Sequence, residues 1–543
     1  MSEAVVREKR QVPSLAKASG SMAIATVVSR ATGLGSKLLL VTLIGTGVLN
    51  DSYQVATTLP TMINELLLGG VLTSVAIPLL VRAEKEDGDG GESYAQWMIT
   101  MGVSLLLVGT VVAVAAANLL TGVFISNSSA KANPELVTTF AYLVLPGVVF
   151  YGLSALLGAV LNARHVFGPP AWAPVLNNIV VVLILGVYWL MPGEISLDPV
   201  RMGEPKLLVL GLGTMLGVVV QAAVMLPAMR RTGIRFRVRF GWDSRLKEFG
   251  GLAFWLLLYV GLGFASIVVL TRVATNDPGA ITVFNYQWLI AQVPYGVLGV
   301  SLLTALMPRM SSAAAENDTD ALVRDLSLGN RMSAILLMPF SALMTVAGVA
   351  IGLAVFSHGA SGLEGGERIG TALALSVFGL VPYAITLLQL RVFYAMKDAR
   401  TPTLIQALMV GARIGMLYLF EAIVPADKLG VAVSIAWSLS FVVGAVIGQV
   451  WLRIRLGRLR TGYTAWTICL TVVASAIGFA AAAGAAWLVV HGLGVDSPVV
   501  KGWIEMVVLT VVGLPLSFGL LAVFRVPEVK PALDKIIRLV RRR

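Results

Sequence analysis

The chain has 543 residues, of which 57% are hydrophobic and 13% charged, with a formal net charge of +12. Soluble domains carry about 25% charged residues, so a mean hydropathy of +0.84 excludes an ordinary soluble protein. The lone cysteine, Cys469, excludes a disulfide within one chain, and His165, His358 and His491 show no ligand spacing, so no metal site is expected. No Walker A motif, Ser-His-Asp set or paired-carboxylate constellation stands out, which leaves transport without a built-in hydrolytic motor rather than enzyme chemistry.

Apolar runs of about 20 or more residues, the length that crosses a bilayer, predict fourteen spans. They are 21–45, 52–80, 94–120, 137–161, 172–191, 207–229, 249–271, 281–307, 332–357, 370–396, 402–424, 429–452, 464–490 and 502–524. The expected fold class is all-α, a polytopic membrane protein.

The first span contains Arg30 and Lys37, seven residues apart and so on one helical face. A charge in hydrocarbon costs roughly 2.5–3.5 kcal/mol on insertion scales. Two on one face make sense if that face meets water or an anion. In the second span Asp51, Gln54, Thr58, Thr61 and Glu65 recur at three- and four-residue steps, a polar stripe on an apolar helix. Together the two spans predict the wall of an aqueous cavity. Bland readings compete at each position. Arg30 can snorkel to the surface, Glu65 can pair with Lys37 or Arg30, and the Thr58 and Thr61 hydroxyls can bond their own helix. In the eighth span Asn285, Trp288, Gln292 and Tyr295 share a face, where core packing competes with cavity lining. In the eleventh, Arg413 can pair with Glu421 on the same face or with another helix, or serve ion coupling.

Charge placement orients the spans. With both termini in the cytoplasm, 30 of the 41 Lys and Arg fall in cytoplasmic segments, six in external loops and five within or beside spans. That is the positive-inside bias, so most of the positive charge is a topology signal and a nucleic-acid role is not expected. The first twenty residues are polar and charged, without the early apolar core of a signal peptide. The basic, aromatic segment 230–248 separates six spans from eight and divides the chain into two candidate lobes. From Pro527 onward, apolar residues among Lys and Arg predict an amphipathic helix on the membrane surface.

Four strings narrow the class. They are Ser29-Arg30-Ala31-Thr32-Gly33 with Asp51-Ser52-Tyr53; Leu161 to Pro174 (LNARHVFGPPAWAP) followed by Asn177 and Asn178; Pro294-Tyr295-Gly296-Val297-Leu298-Gly299; and Arg391 to Pro402 (RVFYAMKDARTP). From about residue 15 to 525 the chain resembles the MurJ, or MviN, family of lipid II flippases, within the multidrug/oligosaccharidyl-lipid/polysaccharide exporter superfamily. The resemblance implies an N-lobe over 21–229, a linker over 230–248, a C-lobe over 249–452 and two further helices over 464–524 that form a lipid-tail groove. These lie between a cytoplasmic segment, 1–20, and a basic tail, 525–543. It also implies a central cavity and the substrate lipid II, an undecaprenyl-pyrophosphate-linked disaccharide-pentapeptide, moved between leaflets of a bacterial cytoplasmic membrane. Expected partners are that lipid, membrane lipids and cell-wall synthesis proteins. No cofactor is expected beyond a coupling ion, Na+ or H+, or the membrane potential.

Family members carry cavity arginines on spans one, two and eight. Arg30 matches the first, and Asp51 matches an acidic position opening span two. At the other positions stand Ser36 beside Lys37, Asn64 beside Glu65, and Leu289, with Gln292 where an acid is expected. The cavity is therefore less cationic than the family pattern, with Lys37 and Arg272 as candidates to compensate. The candidate binding set is Arg30, Lys37, Asp51, Gln54, Thr58, Thr61, Asn64, Glu65, Arg272, Asn285 and Gln292. Two other functions remain open: a drug/cation antiporter of the same superfamily, which would use Glu65 and Asp51, and a membrane scaffold for cell-wall enzymes.

Overall fold

A computed structural model of the chain describes residues 15–69, 77–89, 91–125, 133–232, 237–241 and 250–529. Much of the basic linker and the amphipathic tail expected beyond Val529 lies outside these residues.

Among them the chain is helical, without a strand. The helices run α1 (Leu15–Ile44), α2 (Val48–Asn64), α3 (Ile77–Glu86), α4 (Glu92–Ala115), α5 (Ala117–Phe124), α6 (Pro134–Val144), α7 (Gly147–Ala163), α8 (Gly168–Leu190), α9 (Pro205–Ala223) and α10 (Leu226–Arg231). They continue as α11 (Gly250–Ala274), α12 (Ala280–Pro294), α13 (Val300–Ala315), α14 (Thr319–Phe356), α15 (Gly362–Ser376), α16 (Leu380–Ala395), α17 (Arg400–Ile423), α18 (Leu429–Leu456), α19 (Thr461–Leu493), α20 (Pro498–Val508) and α21 (Leu514–Val523). Among the described residues, twelve helical segments are long and apolar enough to cross a membrane, or 13 if α6 and α7, bent by 44°, count as one span. The remaining expected span, 52–80, runs through residues 70–76, which lie outside the described residues. Large apolar side chains on these helices stay open, with Val111 at 67% and Leu183 at 64% exposure. Such surfaces match a hydrocarbon solvent rather than water.

The chain divides into two compact units. One comprises Met1–Leu39, Leu59–Ala116 and Thr139–Phe249; the other comprises Leu40–Thr58, Ala117–Thr138 and Gly250–Arg543. The division cuts through α1 and α2, so the turn between them belongs with the second unit.

In the first unit small residues bring helices together, as membrane packing favours. Gly152 of α7 lies against Leu106 of α4, and Gly102 of α4 against Leu156 of α7. Polar contacts tie further spans. Asn177 of α8 donates to Gln221 of α9 at 3.1 Å, which donates to Ser154 of α7 at 3.0 Å. In the basic linker, the Gly241 carbonyl accepts from the Trp97 indole at 2.7 Å.

The second unit is built around α14, a 38-residue helix. Its core contains an aromatic cluster in which Trp288 stacks on Phe441 at 5.8 Å and meets Tyr383 and Trp437 edge-on. At the far end of the chain, Glu528 pairs with the buried Arg331, whose guanidinium lies 4.2 Å from the Tyr463 ring.

Candidate functional site

The first unit holds Arg30, Lys37, Thr61, Asn64 and Glu65. Arg30 is exposed on α1 and makes no ion pair or hydrogen bond among the described residues, whereas Lys37 is half-buried. One turn of α1 is held from the side. The Asn178 amide donates to the Ser29 carbonyl at 3.0 Å and to the Thr32 hydroxyl at 3.1 Å. A side chain at Gly33 would come within 3.2 Å of that amide, so glycine keeps the approach open. On α2, Thr61 is exposed and Asn64 is half-buried, its side-chain oxygen without a partner among the described residues, and Glu65 just beyond is exposed. Glu65 makes no ion pair among the described residues, so the alternative of a pair with Arg30 or Lys37 is not found. A π-helical turn, Glu65–Gly69, follows Asn64 directly, and Pro60 lies one turn earlier. Such turns break the regular rotation of a span and recur at functional sites.

The second unit holds the other six candidates, and its geometry assigns several of them to other work. Asp51 is 8% exposed, and both carboxylate oxygens are engaged. Oδ2 accepts from the Gly279 N–H at 2.7 Å, while Oδ1 accepts from the Thr282 N–H at 2.8 Å and the Thr282 hydroxyl at 2.6 Å. Gly279 is the N-cap of α12, with φ at 87°, and Thr282 is the third helical residue. The carboxylate thus satisfies N–H groups a helix start leaves open, favoured by the positive end of the helix dipole. Asp51 is a tether between the starts of α2 and α12 rather than an open ligand group. Nearby, Arg368 holds Asp277 through two 2.7 Å bonds and the Pro278 carbonyl at 2.9 Å, bracing the loop before α12.

Gln54 is buried and donates to Asn50 at 3.4 Å, and the Thr58 hydroxyl bonds the Gln54 carbonyl at 2.7 Å, the local reading expected for it. Arg272, a candidate to compensate for missing cavity arginines, instead donates to the Val123 carbonyl at 2.6 Å and the Gly122 carbonyl at 3.4 Å. It caps the carboxyl end of α5, where a cation suits the dipole. On α12, Asn285 and Gln292 are half-buried, while Trp288 and the following Tyr295 join the aromatic core, Tyr295 lying 4.8 Å from Tyr383. A π turn, Tyr295–Gly299, follows α12 as one follows α2. Arg413 does not pair with Glu421, which accepts from Asn276 at 2.8 Å. Arg413 is 3% exposed and bonds the Ser266 hydroxyl at 3.0 Å and the Ser440 hydroxyl at 2.6 and 2.9 Å, with the Trp437 ring 3.6 Å away.

Residue spacing pointed to the polar stripe but not to Gly279, Thr282, Arg368 or Asn178. Asn178 belongs to one of the quoted strings, and Gly279 follows a proline before a helix start. Either signal marks a turn or a polar contact without naming its partner.

The spans and the pattern of polar side chains within them define a multi-pass α-helical membrane protein of the transporter type. A family model described as lipid II flippase MurJ matches residues 40–500, and the chain belongs to that family. A Rhizobium meliloti (strain 1021) protein named "Probable lipid II flippase MurJ" is 25% identical over 415 residues, 76% of each chain. A Burkholderia cenocepacia protein named "Lipid II flippase MurJ" is 26% identical over 387 residues, 69% of this chain and 72% of the other. Among solved structures, one described as "Lipid II flippase MurJ, inward closed conformation" matches with a TM-score of 0.71 at 18% identity, covering 93% of this chain and 99% of that one. An inward-facing multidrug resistance MATE family transporter of the MOP superfamily matches with a TM-score of 0.64 at 16% identity, over 81% of this chain and 98% of that one. Both structural likenesses describe the shared fold.

Proposed function

We propose that this protein flips lipid II from the inner to the outer leaflet of a bacterial cytoplasmic membrane by alternating access, with both termini in the cytoplasm. The observation that carries the reading is Arg30, an exposed guanidinium without a protein partner among the described residues, in an apolar span of a MurJ-family chain. Leaving it unpaired in hydrocarbon is costly. A pyrophosphate repays that cost, since the planar fork of arginine matches its oxygens. Lys37, Thr61 and Asn64 of the same unit extend the site as hydrogen-bonding groups for the sugar-peptide head. The Asp51 tether closes the α1–α2 end of the second unit, and opening there requires the carboxylate to release α12. The cycle draws on an ion gradient or the membrane potential rather than on nucleotide hydrolysis by this chain.

The test is ligand-induced stabilisation, since a ligand preferring the folded state raises apparent stability by mass action. Purified protein is titrated with lipid II and with an undecaprenyl lipid lacking the headgroup charges. Lipid II is expected to stabilise more, and Lys37→Met to weaken the effect while Glu65→Gln leaves it. Binding of lipophilic cations that depends on Glu65, with no preference for lipid II, would establish the antiporter reading instead.

A further inference from the structure

A cleft of about 550 Å³ opens among α14, α16, α18 and α19. None of the candidate substrate-binding residues lines it, and its α19 wall is one of the two helices over 464–524 for which the resemblance implies a lipid-tail groove. Its apolar wall includes Phe378, Ile385, Val446 and Ile468, and its other end carries Gln389, Gln449, Arg453 and Thr461.

The polar end is a connected relay. The Gln389 amide donates to the Ala445 carbonyl at 3.1 Å and to the Gln449 side-chain oxygen at 3.2 Å. Gln449 in turn donates to the Thr461 hydroxyl at 2.9 Å, which leaves the hydroxyl proton of Thr461 for a further acceptor. Thr461 opens α19, whose first turn has no side-chain cap, so its free N–H groups favour an anion. Arg453 is exposed at the same end, with Arg455, Arg458 and Arg460 close behind in sequence, and none of the four makes an ion pair among the described residues. Two further polar residues at the cleft have buried side-chain oxygens. Gln389 is 1% and Asn330 4% exposed, both line the cleft, and each leaves a side-chain oxygen without a partner among the described residues. The Gln389 oxygen lies against Gly448 of α18, so the headgroup partners at this end are Gln449, Thr461 and Arg453.

We propose that this cleft binds an anionic glycerophospholipid of the surrounding bilayer. Its phosphate sits at Arg453 and Thr461, its headgroup hydroxyls meet the amide relay, and one acyl chain lies along the apolar wall. The exposed Arg453 and an open helix start select a net negative headgroup over a zwitterionic one.

The test uses the full-length protein, delipidated in detergent, and native mass spectrometry with phosphatidylglycerol, chain-matched phosphatidylcholine and undecaprenyl phosphate. Phosphatidylglycerol is expected to be retained about fivefold more than phosphatidylcholine, and Arg453→Gln to remove about that factor, the effect of one basic side chain at an anionic surface. Ala465→Trp, which fills the apolar part, is expected to abolish retention, and Arg458→Gln, outside the lining, to leave it. Equal retention of the two phospholipids, or unchanged retention in Arg453→Gln and Ala465→Trp, overturns the proposal. Displacement of phosphatidylglycerol by equimolar undecaprenyl phosphate overturns the choice of occupant. Thermal unfolding without lipid identifies a variant that fails to fold; in that case Arg453→Gln and Thr461→Val decide. No flipping is read out, so the result stands apart from the lipid II assignment.

Discussion

Arg30 and Arg413 present the same signal in sequence, a guanidinium within an apolar span, and meet opposite fates in the fold. Arg413 is 3% exposed, bonded to Ser266 and Ser440, and stacked 3.6 Å from the Trp437 ring. Two hydroxyls and an aromatic face replace its hydration, an arrangement that cross-braces α11, α17 and α18. Arg30 has no such replacement among the described residues and stays exposed. The difference teaches that an intramembrane charge marks a site only where the protein leaves its hydrogen bonds unmet.

The largest expected effect falls on Arg30. Arg30→Ala should abolish growth support in a strain depleted of its native flippase, with membrane expression and thermal stability unchanged. Full complementation would remove Arg30 from the substrate site and collapse the contrast with Arg413. Arg413→Ala should act on stability instead, by about 2–4 kcal/mol, since it leaves a cavity and two buried hydroxyls without their partner. An unchanged unfolding midpoint in detergent would show that the brace contributes nothing. Asp51→Ala should cost about 1–3 kcal/mol of local stability at the start of α12. In a Cys469→Ser background, a cysteine at Val48 should then label faster with a thiol reagent, and an unaltered rate would mean the tether does not hold that end closed. The smallest effect is expected from Asn178→Ala, which loosens the turn carrying Arg30 at about 1 kcal/mol. It should lower lipid II affinity several-fold with little change in unfolding midpoint, and Asn178→Gln should restore part of that affinity. Loss of stability with unchanged affinity would make Asn178 a packing residue only.

The class of the protein was legible because hydropathy is additive along a helix. Each apolar run in the second half of the chain, from 332–357 to 502–524, is a long helix or a pair of consecutive helices in the structure. The site was legible only as a set of polar positions. Asp51 lies on the same stripe as Thr61 and Glu65, yet its partners are 228 and 231 residues away in sequence. Spacing reports the face of a helix and carries no information about what packs on that face. Trp288 and Asn285 share one side of α12, yet only Trp288 enters the aromatic cluster, because the rings of Tyr383, Trp437 and Phe441 complete a surface there.

By itself the sequence determined that this is a polytopic helical membrane protein with charges inside its first spans, because bilayer thickness and the cost of unpaired polar groups act locally on each segment. Motif strings added the family. Tertiary structure decided which charges are spent on the scaffold: Asp51 on the start of α12, Arg272 on the end of α5, Arg413 on two serines, and Glu528 on Arg331. Those assignments depend on partners far apart in the chain, and the free energy of a buried charge is set by the groups the fold brings to it, not by its neighbours in sequence.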